Sequence, residues 1–268
     1  MSGASLHQLG DNNSLLSQHM SAAKNFLKIV FAVYFAISTF IGFVVLYPFF
    51  AIFLSNKKWY GAGHVTRKIW GWWLFTTGGL IVKQVEEVPV DWNAAYVVTA
   101  NHTSYLDIPT LAVKLPMFVN FMAKIELAKI PVFGIFFRTI DIAVDRKNVR
   151  HSVWAFHQAK NQLLNDHRSI VIFPEGTIHR SVPKMGRFKE GAFRLAIETQ
   201  CPILPVTIIG NWIALPDQGK FHFRPARILQ YVHAPISTKG MTLDDVDALK
   251  QKVFNIIEQK LAEHGYFE

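Results

Sequence analysis

Tyr96-Val97-Val98-Thr99-Ala100-Asn101-His102-Thr103-Ser104-Tyr105-Leu106-Asp107-Ile108-Pro109 passes from an apolar, β-branched run to a polar loop and then to a proline. Such a run reads as a buried strand. Asp107 ahead of Pro109 reads as the cap and first turn of a helix. The segment is therefore a strand, a loop carrying an imidazole and a carboxylate, and a helix. On one continuous helix, positions five apart differ by about 140°, so His102 and Asp107 meet only if the chain turns between them. If they meet, an Asp accepting from one ring nitrogen leaves the other as a general base able to take a proton from an alcohol. The plainer reading is a helix cap beside an ordinary loop histidine.

Working outward, the same alternation repeats. Phe118–Ala123, Ile140–Val144, Ile170–Phe173, Ile203–Ile209 and Arg227–Val232 read as further strands. Ile108–Leu115, Val149–Asn165 and Glu190–Thr199 read as helices, and Leu243–Glu263 as a closing amphipathic helix with Thr242 and Asp245 at capping-box spacing. This predicts an α/β fold, a mixed sheet flanked by helices, with site residues in the loops at strand ends.

Ahead of that domain the pattern differs. Residues 1–23 are polar, without Lys or Arg, and read as a mobile tail lacking a secretory n-region. Residues 24–85 read as membrane-anchoring and interfacial helices, and 86–268 as the α/β domain. From Ile29 to Leu54 no residue is charged. As a helix that stretch reaches about 39 Å at ~1.5 Å per residue, enough for a ~30 Å hydrocarbon core. Pro48 interrupts it, which leaves Phe49–Leu54 open as a separate interfacial turn. Ile69–Val82, with Trp70, Trp72 and Trp73 between basic flanks, is too short to span and reads as an interfacial helix or as a core helix. The excess of Lys and Arg after the apolar run predicts a cytoplasmic catalytic portion.

Composition agrees with a membrane-associated protein. Of the 268 residues, 50% are apolar and 18% charged, and the mean hydropathy is +0.19, which excludes a disordered or fibrous chain. Lys and Arg number 28 against 19 Asp and Glu, a net charge of +9, so the partner surface is expected to be anionic. Cys201 is the single cysteine, which excludes an internal disulfide or a Cys-rich zinc module. The chain holds no H-E-x-x-H, G-x-S-x-G or Walker A pattern. No metal and no nucleic-acid partner are expected.

Two further loops carry chemistry. Phe173-Pro174-Glu175-Gly176-Thr177 follows a strand and precedes Arg180, Lys184, Arg187, Lys189 and Arg194. Its backbone N–H groups and cations suit an anion or an alcohol, or form only a turn and a solvated basic face. Asp145-Arg146 ends another strand and offers a guanidinium for a phosphate, or a surface ion pair.

Taken in order, these blocks resemble the 1-acylglycerol-3-phosphate acyltransferases and their lysophospholipid acyltransferase relatives. The resemblance covers roughly residues 82–232. Asn101-His102-x4-Asp107 resembles the family's catalytic block, which implies His102 as base and Asp107 as its partner. Lys124-x-Glu126-Leu127 with Pro131, Gly134 and Asp145-Arg146 resembles the block that binds the phosphate-bearing acceptor. Glu175-Gly176-Thr177 with Phe188-Lys189 resembles the third, and Leu204-Pro205-Val206 the fourth, associated with the acyl chain. The resemblance thus implies substrate contacts at Asn101, Lys124, Arg146, Glu175, Gly176, Thr177, Arg180, Lys189 and Pro205. It also implies a lysophospholipid acceptor and acyl-CoA or acyl carrier protein as co-substrate, with no bound cofactor. One position departs: Ile178 stands where the family usually has Arg, and Arg180 follows two residues later. Acceptors other than acylglycerol phosphate, including lyso-aminolipids, stay open, as does a non-catalytic lipid-binding scaffold.

Overall fold

The uncharged run folds as part of one long helix, α1 (Gly3–Phe53). The computed structural model describes residues 3–179, 181–217 and 222–266, with side chains from residue 25 onward outside 131–133. The helical backbone reaches back to Gly3, within the stretch read as a tail. Extending an existing helix needs no new nucleus, and Leu6, Leu9, Leu15, Leu16, Ala22 and Ala23 favour it. Pro48 does not end the helix either. Phe50 beyond it is fully buried, against Phe43 at 5.6 Å and Phe136 at 5.1 Å between ring centroids. That packing holds the last turn despite the lost backbone bond. Asn25–Phe53 is long and apolar enough to cross a membrane.

A short turn at Lys57–Trp59 leads into α2 (Tyr60–Thr77). The Trp73 indole N–H donates to the Ser38 carbonyl at 3.0 Å and that of Trp70 to Thr39 at 3.1 Å. Gly42 permits this approach, because a Cβ there would lie 2.7 Å from the Trp73 ring. Trp70, Leu74 and Phe75 are buried while Trp72 is half exposed. The Trp cluster therefore divides between a core face and an outward face.

The helix ends at Gly78-Gly79, and β1 (Leu80–Glu86) follows. The sheet thus begins at Leu80, inside the stretch Ile69–Val82 that reads as one helix in the sequence. Then come β2 (Val97–Ala100), α3 (Asp107–Lys114), β3 (Val119–Lys124), α4 (Pro131–Phe137), β4 (Ile142–Val144) and α5 (Val149–Leu164). β5 (Ser169–Ile172), α6 (Gly191–Thr199), β6 (Ile203–Ile209), α7 (Asn211–Ala214), β7 (Ala226–Val232) and α8 (Val246–Glu263) complete the chain. The strands line up as β1-β7-β6-β2-β5-β3-β4. β2 through β6 are mutually parallel, β7 runs against β6, and β1 runs with β7. The mixed sheet matches the expected class.

Helices cover both faces, as a sheet of buried β-branched strands requires. Phe75, Leu111, Val98, Phe121 and Val206 belong to one core, on the side of α1, α2 and α3. Ala155, Leu163, Leu195, Val253 and Ile170 belong to the other, beneath α5, α6 and α8. At the capping-box position, the Thr242 amide donates to the Asp245 carboxylate at 2.8 Å.

A buried ion pair joins α2 to the β3–β4 edge. The Arg67 guanidinium donates to both Asp141 oxygens at 3.0 and 3.1 Å, to the Val119 carbonyl, and to His64 Nδ1 at 2.9 Å. Burial and the neighbouring Arg67 charge hold the His64 pKa down at about 2, so its ring is neutral and accepts. Arg67→Met strands a buried carboxylate and is expected to cost about 3–5 kcal/mol, whereas Arg67→Met with Asp141→Leu recovers most of it. Thermal melts of the two variants in detergent test this.

Candidate active site

The parallel strands bring their carboxyl ends to one edge, where the loops after β2, β3, β4, β5 and β6 gather. The loop after β2 turns as the His–x4–Asp spacing demands. His102 Nδ1 lies 2.9 Å from Asp107 Oδ2. Asp107 opens α3 and is fully buried. Its Oδ2 also accepts the Thr103 and Ser104 amides at 2.7 and 2.9 Å, and its Oδ1 accepts Asn211 Nδ2 at 2.7 Å. Four donors on one carboxylate satisfy and orient it in an apolar setting. A carboxylate acceptor on Nδ1 holds the ring proton there and leaves the lone pair on Nε2.

Phe173, the first residue after β5, stacks on the imidazole at 4.0 Å between centroids, nearly parallel. Glu175 braces the site from within. Its buried carboxylate accepts the His102 amide at 2.8 Å and the Gly186 amide at 2.7 Å, tying the β2 and β5 loops together. Burial pushes its pKa up, and the two amides pull it partly back.

Gly176 turns with φ +77°, in the region that favours glycine. The Arg146 guanidinium hydrogen-bonds its carbonyl. A Cβ at Gly176 would lie 2.6 Å from Arg146 Nη1 and 3.0 Å from Lys189 Nζ. Two cations from separate loops therefore converge on one glycine, an arrangement suited to an anionic group. Thr177 is exposed beside them, and Glu175, Thr177, His179 and Lys189 line a cavity of about 530 Å³.

Other expected site residues stand elsewhere. The Asn101 side chain is fully buried and exchanges bonds of 2.8 Å with both the amide and the carbonyl of Ile208, stitching β2 to β6. Pro205 is buried within β6, paired with Thr99. Lys124 sits at the carboxyl end of β3, largely exposed, with its ammonium 3.7 Å from Glu126. Arg180 lies outside the described residues, and Ile178 is half-buried. Asn211 was not foreseen. The one signal for it is the Gly210-Asn211 pair directly after β6, another strand-end loop at the same edge.

The acyltransferase family model matches residues 79–209, from the start of the sheet to the end of β6 and across His102, Asp107, Glu175 and Lys189. That stretch of the chain matches the acyltransferase family. It is 33% identical over 159 residues to the 1-acyl-sn-glycerol-3-phosphate acyltransferase alpha of Mus musculus, covering 59% of this chain and 55% of that one. It is 31% identical over 191 residues to the 1-acyl-sn-glycerol-3-phosphate acyltransferase of Saccharomyces cerevisiae, covering 70% and 62%. The matches thus span less than two thirds of these relatives' lengths. The crystal structure of the 1-acyl-sn-glycerophosphate acyltransferase PlsC from Thermotoga maritima superposes with a TM-score of 0.73 at 25% identity, over 90% of this chain and 97% of that one. The acyltransferase fold therefore extends through α1 and α2 as well as the sheet.

Two outcomes test this site. Asn211→Leu removes a donor from a buried carboxylate oxygen and is expected to cost about 1–3 kcal/mol in unfolding free energy, read by denaturant titration. Because burial raises the Glu175 pKa, the folded chain binds that proton more tightly than the unfolded one. Stability therefore falls as pH climbs from the ordinary Glu value through the raised one. Melting curves across that window should show the decline in the parent chain and a flatter response in Glu175→Gln.

Proposed function

We propose that this acyltransferase moves a fatty acyl group from a thioester, acyl-CoA or acyl carrier protein, to the free hydroxyl of a lysophospholipid, with 1-acylglycerol-3-phosphate as acceptor and phosphatidic acid as product. The observation that carries the reading is the His102–Asp107 pair, on a loop that Glu175 ties to the one bearing the cationic Gly176 turn. In this mechanism His102 Nε2 takes the proton as the acceptor oxygen attacks the thioester carbonyl carbon. Asp107 stabilises the imidazolium that results. The tetrahedral intermediate collapses with loss of the thiolate, which takes the proton back from Nε2, so base and acid are the same nitrogen. No acyl-enzyme is required. Phe173 keeps the ring flat and shields one face of it from water, and the Glu175 strut holds its backbone.

Arg146 and Lys189 would meet the acceptor phosphate, since a doubly charged phosphomonoester is matched by two cations converging from different loops. Ile178 puts no charge at its own position, so among the described residues selectivity for phosphate rests on those two side chains. The exposed apolar length of α1 supports a membrane-bound protein, and the basic residues after it favour a cytoplasmic catalytic face.

Acyl transfer in proteoliposomes, with labelled donors and a panel of lysolipids, is the test. His102→Ala should lower turnover by about 10²–10⁴-fold while the protein remains folded and in the membrane. Near-normal turnover in that variant would falsify the mechanism. Arg146→Ala should raise KM for phosphate-bearing acceptors more than for neutral ones, and acylation of a lyso-aminolipid alone would reassign the acceptor.

A further inference from the structure

α5 carries an outward face that the acyl-transfer reading leaves unused. Val149, Val153 and Trp154 are 77%, 51% and 50% exposed, and Leu164 further along the same side is 47% exposed. At ~3.6 residues per turn, positions 149, 153 and 164 fall within about 60° of one another. Arg150 and His157 are exposed among them. The helix contains Arg150 and Lys160 but not one Asp or Glu over its whole length. Lys160 is half-buried and paired with Glu198 of α6 at 2.9 Å, which leaves Arg150 as the exposed charge of α5. Solvated helix faces ordinarily mix both signs of charge with few large apolar groups. Exposed Val, Trp and Leu beside a lone cation are instead the pattern of a helix lying in the headgroup region of a bilayer.

Its place in the fold agrees. α5 begins five residues after β4 ends at Val144, so its first turns stand at the carboxyl edge of the sheet, the edge that holds His102. The exposed amino-terminal half of the apolar run reaches the same edge on the opposite face. Phe31 and Phe35 stack on Phe223, three residues before β7 begins at Ala226, and β7 starts near where β6 ends. Apolar surface thus flanks the catalytic mouth on both faces of the sheet, and on the α5 side it is accompanied by positive charge.

We infer that the exposed face of α5 is a second membrane contact, seated on anionic phospholipid by Val149, Val153 and Trp154 with Arg150 and Lys147 at headgroup level. The contact deepens the membrane-bound reading above. It means that the mouth is held against the bilayer from two sides rather than hung from the α1–α2 hairpin alone.

A site-specific depth probe tests it in the full chain. Val153→Cys in a Cys201→Ser background takes an environment-sensitive fluorophore, with Glu258→Cys as control. Glu258 is exposed on the half of α8 that reaches Glu87 through Lys260, at the far end of the sheet. Both proteins are reconstituted in phosphatidylcholine vesicles containing about one-third phosphatidylglycerol, with lipids brominated near the headgroup. Quenching at position 153 and not at 258, weakened when phosphatidylglycerol is replaced by phosphatidylcholine, is expected. Equal and weak quenching at the two positions overturns the contact. So does a blue shift at 153 that brominated lipid leaves unquenched, which would assign the face to a second copy or a protein partner.

Val149→Asp with Val153→Asp adds a functional readout. Apparent KM for long-chain lysolipid in vesicles should rise about tenfold, with transfer to a short-chain, water-soluble lysolipid unchanged. An equal loss on both acceptors makes the face structural and overturns the proposal. If no lipid is acylated at all, the acyl-transfer reading fails by itself, and the quenching result still decides the contact.

Discussion

A carboxylate cannot be buried without donors, and the Asp107 carboxylate organises the site by collecting them. One oxygen gathers the Thr103 and Ser104 amides and the His102 imidazole, and the other takes the Asn211 amide. Meeting those four demands bends the chain between β2 and α3 into the shape that sets imidazole on carboxylate. It also draws the start of α7, about a hundred residues away in sequence, against α3. The same residue is the first of its helix, where the positive end of the backbone dipole favours negative charge. The functional loop and the junction of three elements are therefore one electrostatic problem with one solution.

The parallel sheet supplies the rest. Strands running one way deliver all their following loops to one edge, so residues far apart in sequence become neighbours there without any long excursion of the chain. Arg146 leaves β4 and Lys189 lies on the way to α6, yet both close on Gly176. Glu175 does the opposite task from the inside, using two carboxylate oxygens to hold two loops by their backbones. The His102–Asp107 pair is thus presented by a scaffold whose loops are tied from the inside.

Most strands were legible because β-branched runs bounded by polar turns have few other uses, and β6 is read to the residue at Ile203–Ile209. β1 was hidden because its apolar residues continue those of α2, with only Gly78-Gly79 between them to mark the change of period. The course of α1 through Pro48 depends on Phe50 meeting Phe136, a contact that local propensity does not contain. At the site, the His102–Asp107 pairing was readable from spacing. Asn101 and Glu175 were singled out too, and the structure adds their bonds to neighbouring backbone: a polar side chain in a motif block looks the same in sequence whether or not it also holds the scaffold. Asn211 was unreadable for a related reason, since nothing local says that an amide will end against a carboxylate on another helix. Residue 180 and the question of its arginine lie outside what the structure describes.

The joint between α2 and the sheet has a mechanical consequence. Arg67 is clamped by Asp141, Val119 and His64 in the interior, and the indoles of Trp70 and Trp73 are hooked onto the α1 backbone. Side chains on both partners thus tie the hairpin to the sheet. On the membrane-bound reading proposed above, a helix longer than the hydrocarbon layer around it accommodates by tilting, and these ties would carry the tilt to the edge of the sheet. The angle at which the pocket meets the lipid surface would then follow bilayer thickness, with the composition of the membrane acting as a mechanical setting.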